Sequence, residues 1–314
     1  MNVHIPEAPA KAAVEASVAS STQVSEQNAT GNEVLWPSAI FELGSGEYAP
    51  VDRLSGQHSW YVRAQNFVTV VSRAAVGEVL QEEPAPDEHL LLVFDGAEVE
   101  VATGSGTVSA LGPSLVVVPA GPAHVTIRRP GDIVRVFTAR SPVAVKATNA
   151  STYSTPNPRV SPLTESAAPA KSVVPKVFSL TDRPEVPGRR GRIFRSHSLM
   201  VNWPEPVDGP RDTDALIPHT HDDFEHAVVT VLGDYVHHIR RPWTNRMRDW
   251  RPDEHVQITS PSITIIPPGN IHTSRWVNHG RHQSIDVFAP PRSDLIEQGW
   301  VLNQSDYQPV TTEE

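Results

Sequence analysis

Residues 260–275 read SPSITIIPPGNIHTSR. After a Pro-Ser pair comes a run of β-branched residues, then a Pro-Pro-Gly turn, then His272. A short β-branched run bounded by turn residues reads as a strand. Proline fixes φ and glycine permits a tight reversal, so the turn aims a following side chain back across the fold. The same pattern occurs at 112–127, GPSLVVVPAGPAHVTI. Upstream, DEHLLLVFDG (87–96) matches FEHAVVTVLG (224–233), with Glu-His at the same distance before glycine. Downstream, IVRVFTARSP (133–142) matches SIDVFAPPRS (284–293). Three blocks in one order make an internal duplication.

Composition agrees with two copies of a β unit. The chain has 314 residues, 30 prolines and 18 glycines, which favour short strands and turns over long helices. Its net charge of −10 disfavours binding to nucleic acid or to an acidic membrane surface. There is no cysteine, so any metal is held by His, Asp, Glu, Gln or water. No segment has the apolar run of a membrane span, and the N-terminus lacks a basic region followed by an apolar core. A cytoplasmic location is expected. Residues 1–34, rich in Ala, Ser and Thr without an aromatic residue, read as a disordered or loosely attached arm. Globular stretches at 35–142 and 177–292 flank a Ser/Thr/Pro-rich linker at 143–176. The tail, 293–314, is expected to carry a short helix near Ser293–Gln298 and to pack on a barrel or on a partner subunit, as in a homodimer.

The second half carries PHTHDDFEHAVVTVLG at 218–233. His219 and His221 are two apart, so on a strand both imidazoles point to one face. Together with His272, they offer histidines from distant strands that can meet inside a barrel.

These residues resemble the cupin superfamily. Its first motif runs G-x5-H-x-H-x3,4-E-x6-G, and its second runs G-x5-P-x-G-x2-H-x3-N. His219-x-His221, Gly233 and Pro267-x-Gly269-x2-His272 match. Thr213, Pro261 and Trp276 depart from the pattern at its first glycine, its second opening glycine and its final asparagine. With the duplication, the chain is similar to a bicupin. The resemblance implies an all-β fold of two tandem cupin (double-stranded β-helix, or jelly-roll) barrels. It also implies a metal site in the C-terminal one.

The motif's glutamate leaves two choices. Four residues on from His221, and equally the count back from Gly233, fall on His226, whereas the three-residue spacing falls on Glu225. His226 is preferred, since the duplicate has His89 there. The implied ligand set is His219, His221, His226 and His272, with Glu225 on the other face or, across a bulge, acting as ligand or general base. The first half has Glu82 and Pro84 where the second has His219 and His221, so it reads as a structural barrel. A degenerate site of Glu82, His89 and His124 is the alternative.

Four imidazoles leave the full charge on the metal and suit iron, zinc, nickel, copper and cobalt over magnesium or calcium. The resemblance implies Fe(II) first, with Zn, Mn, Ni or Cu as alternatives. The resemblance implies a non-haem iron dioxygenase acting with dioxygen on a small organic acid, enol or phenol. Alternatives are a redox-neutral lyase, isomerase or decarboxylase, and a non-catalytic ligand-binding cupin. Further catalytic candidates are Glu225 as a proton carrier, His238 on a strand, and Arg240 in the Arg/Trp-rich stretch 237–255 as a carboxylate clamp. Asp286 is a candidate hydrogen-bond partner for a histidine ligand.

Overall fold

The β-branched runs form strands, twenty of them among the described residues of the computed structural model. Those residues are 35–48, 50, 58–163, 174–189 and 191–307. The expected N-terminal arm, 1–34, and the tail's end, 308–314, lie outside them. The first round comprises β1 (Ala39–Glu42), β2 (His58–Arg63), β3 (Phe67–Arg73), β4 (Val79–Gln81), β5 (His89–Val93), β6 (Glu98–Thr103), β7 (Gly106–Leu111), β8 (Ser114–Val118), β9 (Ala123–Arg129) and β10 (Asp132–Thr138). The second comprises β11 (Lys176–Ser179), β12 (Arg192–Arg195), β13 (Met200–Trp203), β14 (Val207–Asp208), β15 (His226–Leu232), β16 (Asp234–Arg240), β17 (Glu254–Thr259), β18 (Ser262–Ile266), β19 (Ile271–Trp276) and β20 (Arg281–Phe288). No helix among the described residues is long and apolar enough to cross a membrane.

Each barrel is a large sheet closed by a small one. The first pairs β11-β8-β5-β10-β3-β2 with β4-β9-β6-β7. The second pairs β1-β18-β15-β20-β13-β12, with β14 on β20, with β17-β16-β19. The two large sheets pack on each other. Strand alternation sends Leu90 and Leu92 of β5, and Ala227 and Val229 of β15, into this shared layer. The alternate residues face their own barrels. Large-sheet strands are therefore apolar on both faces, and β5, β8 and β18 are buried along their whole length.

The sequence boundaries do not coincide with the barrels. β1 opens the first half but pairs antiparallel with β18 of the second, Phe41 opposite Ile263. β11 opens the second half but pairs with β8 of the first, Phe178 opposite Leu115. The two halves thus exchange their first strands.

The described part of the linker 143–176 packs on the first barrel. Short 3-10 turns at Pro142–Lys146 and Ala150–Ser154 bury Val143, Ala144 and Ala147 against Tyr61, Val68, Val70 and Phe137. Asn149 satisfies the backbone of Arg63 in both directions, accepting from its N–H at 2.9 Å and donating to its carbonyl at 2.8 Å. Polar composition here supplies hydrogen bonds to exposed backbone rather than flexibility. Residues 164–173 lie outside the described part.

The tail forms α1 (Ser293–Glu297) and returns along β12, where Leu302 N–H donates to the Ile193 carbonyl at 2.8 Å. It packs on the second barrel, with Leu295 and Val301 against Ile193, Met200 and Phe288.

The barrel interiors differ. Thirteen buried apolar residues fill the first, from β4 to β10 and their turns. Only Val228, Ile239 and Ile266 form such a cluster inside the second. The space they leave is a cavity of about 470 Å³.

Candidate metal centre

Three segments bring four imidazoles to the base of this cavity. Residues 219–221 lead into β15, and His226 is the first residue of that strand. His219 and His272 are joined by a two-way backbone bridge, N–H to carbonyl at 3.0 and 2.8 Å. After the Pro-Pro turn, Gly269, at φ +84°, donates its N–H to the His221 carbonyl at 2.7 Å. The ligand atoms of His219, His221, His226 and His272 lie within 4.8 Å of one another. His219 is exposed, and the other three are buried.

Hydrogen bonds from the far ring nitrogens orient three of the rings. His219 Nδ1–H donates to the Ile217 carbonyl at 3.1 Å, and His272 Nδ1–H to the Asn270 carbonyl at 3.0 Å. His226 Nε2 lies 3.0 Å from Asp286 Oδ1, and the other Asp286 oxygen accepts from Asn202 Nδ2 at 3.1 Å. With protons in those bonds, His226 Nδ1 and His272 Nε2 present lone pairs to each other across 3.0 Å. Two lone pairs so close repel unless a cation lies beside both. At a metal–nitrogen distance of about 2.1 Å, ligands at right angles are about 3.0 Å apart. His221 Nε2 is buried with no hydrogen-bond partner among the described residues, an atom that a metal would satisfy. Burial, then the neighbouring histidines, pushes His272 down to about 3, and the same causes lower His221. Those two rings are thus neutral at neutral pH, the form that binds metal. The donor set fits a divalent transition metal.

The other catalytic candidates lie elsewhere. Glu225 faces opposite to His226, as strand alternation requires. Its carboxylate accepts from Gln65 N–H at 2.5 Å and Tyr153 Oη–H at 3.1 Å, between the barrels. Burial raises it to about 7, but it does not reach the histidines, which corrects its reading as ligand or base. His238 is on the outer face of β16, its Nδ1 2.7 Å from His255 Nδ1. Arg240 is exposed, paired with Asp253 at 2.5 Å, and is not among the residues lining the cavity. The phase of β16 decides both: Tyr235, His237 and Ile239 are buried, and 238 and 240 face out. His237 sits behind the cavity, 2.6 Å from Ser274 Oγ. Tyr235 and Trp276 line the cavity, as do Arg189, Arg211 and Arg292. No sequence motif marked these residues for a site.

No family model matches the chain, and no curated protein does. Solved structures do. AerE from Microcystis aeruginosa aligns at 12% identity and TM-score 0.52, over 78% of this chain and 100% of that one. A single-residue mutant of Bacillus subtilis oxalate decarboxylase aligns at 12% and 0.53, over 83% and 79%. Lactobacillus farciminis oxalate decarboxylase, a formate complex, aligns at 13% and 0.53, over 84% and 88%. The chain has the bicupin fold.

The first barrel of this bicupin repeats the second with the charge reversed. His89 stacks on Phe137 at 4.5 Å as His226 stacks on Phe288 at 4.9 Å. Where the second barrel has Asp286, the first has Arg135, fully buried. Its guanidinium meets Glu82 at 3.2 Å, and Lys146 and Tyr61 Oη–H complete that carboxylate at 2.7 and 2.6 Å. His124 is exposed, paired with Gln81 on β4. Glu82, His89 and His124 therefore do not converge, which corrects the reading of a degenerate site there. A fixed guanidinium supplies this barrel's cation. The arginine-for-aspartate exchange was visible in the aligned blocks 133–142 and 284–293.

Asp286→Asn is expected to weaken metal binding about 10–100-fold, since the amide no longer fixes His226 in its metal-binding tautomer. Glu225→Gln is expected to leave metal content unchanged. Chelator competition on both variants checks this pair. Equal retention by Asp286→Asn, or loss in Glu225→Gln, would reverse the assignment.

Proposed function

We propose that this bicupin is a metal-dependent enzyme whose centre is His219, His221, His226 and His272, acting on a small organic acid, enol or phenol. The carrying observation is the four-histidine cluster at the base of an open cavity. A bound divalent metal would supply Lewis-acid activation and, as Fe(II), a redox centre for dioxygen. The chain's own residues orient the ligands and hold the substrate. Ile217, Asn270 and Asp286 fix three rings. Phe224 and Phe288 wall the site and carry Arg292 across their faces at 5.6 and 5.5 Å. Imidazole ligands would leave a bound metal its full charge, which favours an anionic substrate, whereas Arg292 is itself paired with Asp294 at 2.6 Å.

Dioxygen-dependent oxidation is the first reading. Among the described lining residues the only carboxylate is Asp286, engaged by His226 and Asn202, so no second carboxylate is poised for acid–base work. Redox-neutral decarboxylation is the second. It is favoured by the oxalate decarboxylases that share the fold, one of which has Mn(II) centres.

Metal analysis of the purified protein, followed by oxygen uptake and carbon dioxide release with a panel of keto and enol acids, tests both. About one metal per chain is expected. Oxygen uptake with iron supports the first reading. Anaerobic carbon dioxide release with manganese supports the second. A protein that binds no transition metal overturns the proposal.

A further inference from the structure

The cavity lining brings together two sets of groups from different elements. One is the four histidines with, beside their aromatic walls, Arg292, paired with Asp294 at 2.6 Å. The other lies where the loop before β12 meets the tail, and Arg189 stacks over Trp300 at 5.2 Å. The described lining residues include four arginines and one carboxylate, in a chain of net charge −10. Three of these arginines are engaged. Arg292 has Asp294, Arg211 donates to the Ser274 and Ala215 carbonyls at 2.6 and 3.2 Å, and Arg192 donates to the Trp203 carbonyl at 3.2 Å. The Arg189 guanidinium is half-buried, with no hydrogen bond or ion pair among the described residues.

Size and lining add a second constraint. At about 470 Å³ the cavity falls in the range that holds a drug-sized ligand, far beyond a two-carbon acid. Much of the remaining lining is apolar or aromatic, with Ile193, Leu295, Phe288 and Trp276 among it.

We infer that the substrate is a largely apolar acid with an anionic group at each end. Resting on the proposed metal centre, this assigns one end to the metal and the other to Arg189. Arg189 is a specificity residue. Its planar fork suits a carboxylate, and its stack on Trp300 holds it in place before the ligand arrives.

Calorimetric titration of the metal-loaded protein with phenylpyruvate and with 4-carboxyphenylpyruvate tests this, because both offer the same keto acid to the metal and differ only in the remote carboxylate. The wild type is expected to prefer the dicarboxylate about 10–100-fold. Arg189→Ala is expected to remove that preference while keeping phenylpyruvate affinity, metal content and melting temperature. Arg189→Lys is expected to keep part of it. Equal affinities in the wild type, a preference that survives Arg189→Ala, or no binding of either acid overturns the inference. Loss of metal binding by the wild type instead overturns the metal centre, and is read separately from metal content.

Discussion

His272→Ala is expected to lower metal affinity by more than about 100-fold. Losing an outer hydrogen-bond partner of a ligand costs about 10–100-fold, and losing the ligand costs more. The fold should survive, because the bridge to residue 219 is made by backbone groups, which alanine retains. His226 Nδ1 would then face the hole left by the imidazole, where a nitrogen now lies 3.0 Å away. His219→Ala is expected to act in the same direction with a smaller effect, as that ring is the exposed member of the four. Metal content after dialysis against a chelator measures both, and circular dichroism reports the fold. Wild-type content in both variants would remove the centre from these residues.

The second large effect concerns the barrel without the cavity. Arg135→Leu is expected to destabilise the protein by about 3 kcal/mol, the low end of the cost of removing one partner of a buried ion pair. Glu82 keeps Lys146 and Tyr61, but its side chain is only 6% exposed, and Lys146 approaches from the solvent side. The pair itself need not be stabilising compared with apolar residues. Arg135→Leu combined with Glu82→Leu is therefore expected to recover much of the loss, since neither buried charge remains. Urea unfolding of the two variants decides the matter. A single variant within about 1 kcal/mol of wild type would show that the pair is not buried as described.

Most of the architecture was legible because its signals are local. β-branched runs between prolines and glycines mark the strands, and the duplication marks the pair of barrels. The four histidines follow from the cupin-like motifs and the count to Gly233, although His219 lies in an isolated bridge and His221 outside any strand, where side-chain alternation does not apply. Alternation set Glu225 against His226. The same rule applied to β16 separates Tyr235, His237 and Ile239 from His238 and Arg240, but two histidines in a row hide its phase until the apolar neighbours are weighed.

What was not legible is nonlocal. β1 reads AIFE and β11 reads KVFS, two short strands with no feature to choose between the edges of β18 and β8. Asn149 looks like any linker asparagine until Arg63 is placed beside it. Arg189 acquires a role only when the tail brings Trp300 beneath it, and no spacing rule connects those two segments.

The strand exchange separates two meanings of a domain in this chain. The unit that was copied in the gene runs from one opening strand to the next. The unit that folds borrows its edge from the other copy. A fragment beginning at residue 177 contains all four histidines, yet it leaves the β18 edge bare where Phe41 and its neighbours belong. The first copy has a buried guanidinium at its centre and, among the described residues there, a small pocket of about 10 Å³. It donates one strand and one apolar face to its partner, so the repeat that was copied and the barrel that is packed end at different strands.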